Sequence, residues 1–146
     1  MLVSTKGRYA LRLMVHMAQA GDGAKVALRE VAEREGISLK YLEQLVRPLM
    51  QADLLQSVRG KGGGYRLAKE LAAVRAGDVL RAVEGSTAPV ACLELDGQAR
   101  CPRSDACTTV RFWAGLDDAI ERYVDGVTLA DLAGAPAPAP ASATRP

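Results

Sequence analysis

The sequence is poor in aromatic residues, in histidine and in long apolar runs, and each scarcity closes off a class of protein. One Trp, one Phe and four Tyr among 146 residues mean that a core must be assembled mainly from Leu, Val, Ala and Met. The single histidine, His16, is isolated, and such a residue is more often packed or solvated than ligating. No nucleophile–base pair, carboxylate dyad or cofactor fingerprint accompanies it, so an enzyme is not expected. No stretch approaches the ~18 apolar residues that span a bilayer, and the N-terminus lacks an apolar run ending in a small-residue cleavage site. A cytoplasmic protein with no membrane partner is expected. Three cysteines, an odd number, argue against a closed disulfide framework, and cytosolic thiols stay reduced.

What is present is unevenly distributed. The net charge is +2, yet residues 1–70 carry 12 Lys/Arg against 7 Asp/Glu, and residues 71–146 carry 7 against 10. A basic front half suits a polyanionic partner; chance asymmetry on a solvated surface is the bland alternative.

Helical periodicity opens the chain. Leu11, Met14, Val15 and Ala18 lie at i, i+3, i+4 and i+7, which predicts a helix over residues 5–20, stopped by Gly21-Asp22-Gly23. Leu28, Val31 and Ala32 predict a second helix, ended by Gly36. Ser38 is placed to cap a third, whose buried stripe is Leu42, Leu45, Val46 and Leu49. Pro48 should kink or shorten that helix, because it lacks an amide hydrogen and crowds the preceding turn. Two short β-runs, 55–59 and 64–67, flank Gly60-Lys61-Gly62-Gly63 and read as a hairpin. Further helices are expected near 69–73, 77–84 and from 102–105 to about 124, with Trp113, Leu116, Ile120 and Tyr123 on one side of the last. Residues 127–132 add a short turn. From Gly134 the Ala/Pro alternation cannot bury enough apolar surface to offset ordering, so disorder is expected.

Helix, turn, helix and glycine-tipped hairpin is the order of a winged helix-turn-helix. In that unit the second helix of the pair lies in the major groove. Its outward residues would be Ser38, Lys40, Tyr41, Glu43, Gln44 and Arg47. Gln pairs with adenine edges, Glu accepts from cytosine N4, and Lys and Arg reach guanine or phosphate. Singly, each is as well explained as a solvated helix residue; as a set after such a turn they point to DNA. Arg59 and Lys61 at the hairpin tip, with Arg66 following, add weight, since narrow minor grooves attract Arg. A nucleotide-phosphate loop is excluded: there is no GxxxxGK[ST], and the glycines do not open a long helix.

Cys92, Cys101 and Cys107, spaced C-x8-C-x5-C, form the second motif. Thiolates hold iron–sulfur clusters or zinc, but this spacing matches no standard run and leaves cluster, zinc and no metal all open. One coordination position is unassigned.

Three stretches carry a resemblance to a known family: Ser4-Thr5-Lys6-Gly7-Arg8-Tyr9-Ala10-Leu11-Arg12, Gly36-Ile37-Ser38-Leu39-Lys40-Tyr41-Leu42-Glu43-Gln44-Leu45, and Ser57-Val58-Arg59-Gly60-Lys61-Gly62-Gly63-Gly64-Tyr65. They resemble the IscR-type regulators, winged-helix proteins that hold iron–sulfur clusters, and the likeness runs through residues 1–132. It implies a mainly α fold with a small β-hairpin: a winged helix-turn-helix at 1–85, a cysteine-containing cluster loop at 86–108, a long C-terminal dimerisation helix region at 102–132 and a disordered tail at 133–146. It implies a homodimer on a near-palindromic double-stranded DNA operator, regulating iron–sulfur biogenesis or related stress genes. Carried over by position, Ser38, Lys40, Glu43 and Gln44 would face the major groove and Arg59 the minor groove, with Tyr9 and Arg8 near the backbone. Cys92, Cys101 and Cys107 match the cluster ligands, for a 2Fe–2S cluster in preference to 4Fe–4S. The chain also departs from the family. Val110 stands where a histidine often follows the third cysteine, and Arg8 stands where the nitric-oxide-sensing branch has an acidic ligand. Asp105, Glu43 or an external group is left to complete the set. A winged-helix regulator without a cluster, controlled by zinc or by a protein partner, is the alternative.

Overall fold

Ser4 opens the first helix by accepting a hydrogen bond from the Lys6 amide through its hydroxyl. The computed structural model, which describes residues 3–93 and 101–134, then runs α1 (Thr5–Gln19), α2 (Leu28–Glu35), α3 (Leu39–Gln51), β1 (Leu55–Val58), β2 (Gly64–Leu67), α4 (Ala76–Glu84), α5 (Val110–Gly126) and α6 (Leu129–Gly134). Single 3-10 turns at Leu71–Ala73 and Ala91–Leu93 fill two of the connections. The mainly α winged-helix architecture with one hairpin stands as expected. The predicted disordered tail lies almost wholly outside the described residues.

The core is aliphatic, as the scarcity of aromatics required. Leu13, Met14 and Met17 of α1 meet Leu42 and Leu49 of α3, Val79 of α4 and Leu129 of α6, each 1% exposed or less. The buried stripe of α3 is the predicted one. In α1 it is rotated: Ala10, Leu13, Met14 and Met17 are buried, while Leu11 and Val15 are only partly so. Four helices, α2, α3, α4 and α6, pack against α1, so its apolar face is wider than one i, i+3, i+4 stripe.

Pro48 does not end α3, which continues to Gln51. Its missing amide leaves the Gln44 carbonyl without a helical donor, but Ala52 still donates to the Pro48 carbonyl at 3.0 Å. The hairpin is antiparallel, Leu55 opposite Leu67 and Val58 opposite Gly64. Val26 adds one rung by exchanging two 2.8 Å hydrogen bonds with Tyr65. Gly64 permits this, because a Cβ there would strike the Val26 carbonyl.

Two departures matter for function. The long helix starts at Val110 rather than 102–105; Cys101 to Cys107 forms successive turns instead, with Ser104 and Ala106 donating to Cys101 and Arg103 carbonyls. And α6 is no trailing turn. Its Leu129 is fully buried in the N-terminal core, and the chain entering it pairs with the segment before α4, Ala76 donating to Val127 (2.8 Å) and Leu129 to Val74 (2.9 Å). Thus α5 leaves the N-terminal unit and α6 returns to it.

Candidate nucleic-acid interface and cysteine pocket

Burial of one stripe of α3 decides what its other side offers. Ser38, Lys40, Glu43, Gln44 and Arg47 are all exposed. Ser38 is also the helix cap, its hydroxyl accepting from the Tyr41 amide at 3.2 Å, so its oxygen is partly committed to starting α3. Tyr41 is half-buried. Its ring meets that of Tyr9 edge-on, centroids 5.6 Å apart at 82°, and the Arg12 guanidinium lies 5.6 Å from the Tyr9 centroid. Tyr9 and Tyr41 therefore brace α1 against α3 and are less free to reach a ligand than the sequence suggested. Lys6, Tyr41, Gln44 and Pro48 line a surface hollow of about 260 Å³ between α1, α3 and α4.

At the hairpin tip Arg59 and Lys61 are exposed, and the turn is closed by Gly63 donating to the Gly60 carbonyl at 2.9 Å. Gly60 and Gly62 have φ of 108° and 75°, where side-chain-bearing residues are strained. Arg66 is tied back to Gln56 (3.1 Å) and adds little reach. Among the described residues, ion pairs are confined to Arg12, His16 and Arg81 with their carboxylates. Lys6, Arg8, Lys40, Arg47, Arg59 and Lys61 pair with no described acid. That is a surface with positive charge to spend on a polyanion.

Among the described residues His16 is the one buried polar side chain, 6% exposed. Its Nδ1 lies 3.2 Å from Glu35 and its Nε2 3.9 Å from Glu30, both of α2, while Arg12 Nε donates to Glu35 at 3.1 Å. Burial pushes the Glu35 carboxyl up, but the hydrogen bonds and charges of His16 and Arg12 outweigh it and hold the group below the usual carboxylate range. This cluster fastens the first helix of the reading pair to α1.

The three cysteines are brought to one place. Cys92, Cys101 and Cys107 line a pocket of about 120 Å³ with Leu93, Ser104, Val110 and Trp113. Among the described residues no three His, Cys, Asp or Glu side chains converge closely enough to grip an ion. Three thiols are the donor type that a thiophilic cluster or metal takes, but in this arrangement they stand too far apart to close on an ion. The hydroxyl and amide of Thr109, with smaller help from the Val110 amide and Arg103, hold the Cys107 thiol below the ordinary value. Val110 contributes an apolar wall. Among the described residues neither Asp105 nor Glu43 lines the pocket, and Ser104 supplies the one side-chain oxygen of the described lining.

Sequence reasoning missed the residues that join these regions. Glu84 of α4 accepts from the Ser4 amide (2.8 Å), the Ser4 hydroxyl (2.6 Å) and the Gly7 amide (3.0 Å). Arg81 donates to Glu121 at 2.7 Å and to Asp125 at 2.5 Å, both on α5, and the Asp125 bond chiefly holds its guanidinium more firmly protonated than usual. The available signal was a pair of glycines inside helices, Gly7 and Gly77, where Gly is disfavoured by ~1 kcal/mol.

Comparison with known proteins agrees with this geometry. Residues 3–135 match the Rrf2 family, described as iron-dependent transcriptional regulators. The HTH-type transcriptional regulator IscR of Escherichia coli is 38% identical over 132 residues, covering 90% of this chain and 80% of that protein. Among solved structures, CymR, the global cysteine regulator of B. subtilis, superposes with a TM-score of 0.73 at 38% identity, covering 91% of this chain and 96% of that one. IscR of T. potens superposes with a TM-score of 0.69 at 37% identity, over 90% and 85%. No described helix is long and apolar enough to cross a membrane.

Proposed function

The chain belongs to the Rrf2 family of transcriptional regulators, and from that premise we propose that it works as a homodimer on operator DNA, tuned by an iron–sulfur cluster at Cys92, Cys101 and Cys107. Regulation of transcription, not catalysis, is the activity its relatives are named for. The observation that carries the DNA-reading part is the row of unpaired cations and hydrogen-bonding side chains on the open side of α3 and at the wing tip. Lys40, Glu43, Gln44 and Arg47 have the chemistry to read major-groove edges, each good contact worth ~1–3 kcal/mol of discrimination. Arg59 on its glycine-flanked tip suits a narrow minor groove. Lys6, Arg8 and Lys61 would neutralise phosphates and make binding strongly salt-dependent.

Dimerisation is supported by α5, whose Phe112, Leu116 and Tyr123 stand 64%, 38% and 74% exposed. A two-fold axis along that helix would cover the face with its own copy and set two α3 helices about one DNA turn, ~34–36 Å, apart. The cluster reading rests on three thiols around one pocket. A 2Fe–2S cluster, in preference to 4Fe–4S, would supply a charge centre that responds to iron–sulfur supply, oxidation or nitric oxide. The chain's own part is to hold the three thiols around one pocket and to keep Val110, Trp113 and Leu93 against the site. No fourth ligand stands among the described lining, and the last position is left unassigned. The open spacing of the thiols favours one rival, a cluster-free regulator answering to zinc or a protein partner.

Anaerobic purification separates these readings. Brown protein containing iron and sulfide, whose operator affinity or preference changes when the cluster is removed, is the expected result. Colourless protein that binds its operator identically with or without added iron and sulfide would end the cluster reading and leave the DNA reading intact.

A further inference from the structure

Two glycines in the helices of this protein are occupied by other residues' carboxylates. A Cβ on Gly7 would stand 2.6 Å from Glu84 Oε1 and 2.7 Å from Val3 Cγ1. A Cβ on Gly77 would collide with Asp125 Oδ1 and stand 2.7 Å from an Arg81 guanidinium nitrogen. Each glycine is thus a notch in one helix into which an acid from another is seated: Glu84 of α4 in α1, and Asp125 of α5 in α4. Both glycines are themselves buried. Neither lies at a positive φ, so backbone conformation does not explain their choice, and close approach does.

The two seated acids belong to separate contact networks that α4 joins, carrying Arg81 and Glu84 one turn apart. Asp125 and Glu121 of α5 grip Arg81, which also lies 3.6 Å from Asp78 one turn earlier on α4. One turn further along α4, Glu84 holds the Ser4 amide and hydroxyl and the Gly7 amide at the start of α1. The start of α1 carries Lys6 and Arg8. The far side of Glu121 accepts from Thr87, at the beginning of the segment that leads to Cys92. Helix α4, through Arg81, and the segment leading to Cys92, through Thr87, are therefore fastened to the same carboxylate of α5.

We propose that this relay, α5 to Arg81, through the body of α4 to Glu84, and on to the first turn of α1, fixes the angle between the helix that joins two subunits and the head that reads DNA, and so sets which half-site spacing the dimer accepts. Gly77, Arg81 and Asp125 are positioning residues: they act through the orientation of the head and touch no base or phosphate. The inference rests on the dimeric reading above. It names what that reading lacks, a rigid connection between the cysteine segment and the reading surface. Such a connection is required if a cluster is to bias one arrangement of the heads.

The test uses the full-length dimer and the duplex it selects from a randomised library. Half-site spacing in that duplex is then lengthened or shortened by one and two base pairs, and a duplex with one half-site serves as a control. Asp125→Asn and Gly77→Ala are compared with the parent, with circular dichroism and sedimentation recording fold and dimer. Asp125→Asn preserves shape and keeps the test decisive should Gly77→Ala fail to fold. The expected result is unchanged single-half-site affinity, with discrimination between native and altered spacing reduced about tenfold, within the range by which coupling residues act. Unchanged spacing discrimination would overturn the inference. So would an equal loss on single and double half-sites, which would mean the relay merely props the fold. A parent protein with no spacing preference would overturn the dimeric reading, and the inference with it.

Discussion

Helices α3 and α5 carry the same kind of apolar stripe and meet opposite fates. In α3, Leu42, Leu45, Val46 and Leu49 are all buried. In α5, a longer helix of 17 residues with Trp113, Leu116, Ile120 and Tyr123 on one side, none is buried. Periodicity says which face of a helix wants cover; it does not say whether the cover comes from the same chain. For α3 the cover is α1, α2 and α4. For α5 one edge is held by polar contacts to Arg81 and Thr87, and Phe112, Leu116 and Tyr123 stay exposed.

Substitutions can break or sharpen this contrast. Leu49→Ala in α3 should have the largest effect, lowering unfolding stability by ~2–5 kcal/mol in a thermal or denaturant melt. The matching Leu116→Ala in α5 should cost a dilute monomer less than ~0.5 kcal/mol and act instead through the concentration dependence of Tm. Equal costs would erase the distinction. Next, Phe112→Asp with Leu116→Asp should dissociate the dimer by sedimentation and reduce operator affinity by the ~2–4 kcal/mol typical of lost apolar anchors, leaving a folded head. Third, Gln44→Ala with Arg59→Ala should leave fold and dimer intact and remove ~1–3 kcal/mol of sequence discrimination per lost contact, measured against a scrambled duplex. Ser38→Ala, losing the α3 cap, should lower stability by ~0.5–2 kcal/mol.

The smallest effect concerns pH. Because the Glu35 carboxyl is held below its ordinary value, its contribution is present above the unfolded pKa, ~4.3, and is lost as pH falls through the lowered folded value. The stability gap between the protein and its Glu35→Gln variant should therefore be constant near neutrality and narrow below about pH 5. A gap that widened on acidification would contradict the assignment.

Local patterns were the legible part of the fold. Capping at Ser38, the α3 stripe, the glycine-tipped hairpin and the helix at 77–84 all follow from short-range chemistry and stand where they were expected. The α1 stripe was misplaced because α1 is packed on several sides. The start of α5 was placed too early, because Pro102 followed by polar residues imitates a helix start, whereas Cys101–Cys107 turns repeatedly. The docking of α6 and the seats of Glu84 and Asp125 depend on partners far along the chain, and no local window shows them. For the DNA-reading surface the exposed set was legible, but not that Tyr9 and Tyr41 lean on each other. For the cysteines, proximity was legible and the missing fourth ligand remained missing in the structure's described lining.

The return of α6 sets the timetable of folding. Leu129 is fully buried against α1, and the two stand near opposite ends of the described chain. A core completed by such a distant contact closes slowly and late. On the ribosome, α1 to α4 emerge first but keep a hole where Leu129 belongs until nearly the whole chain is made. Until α6 docks, α1 lacks one of the helices packed against it. Truncation after Gly126, which removes no residue of the DNA-facing surface, would leave every product in that unfinished state.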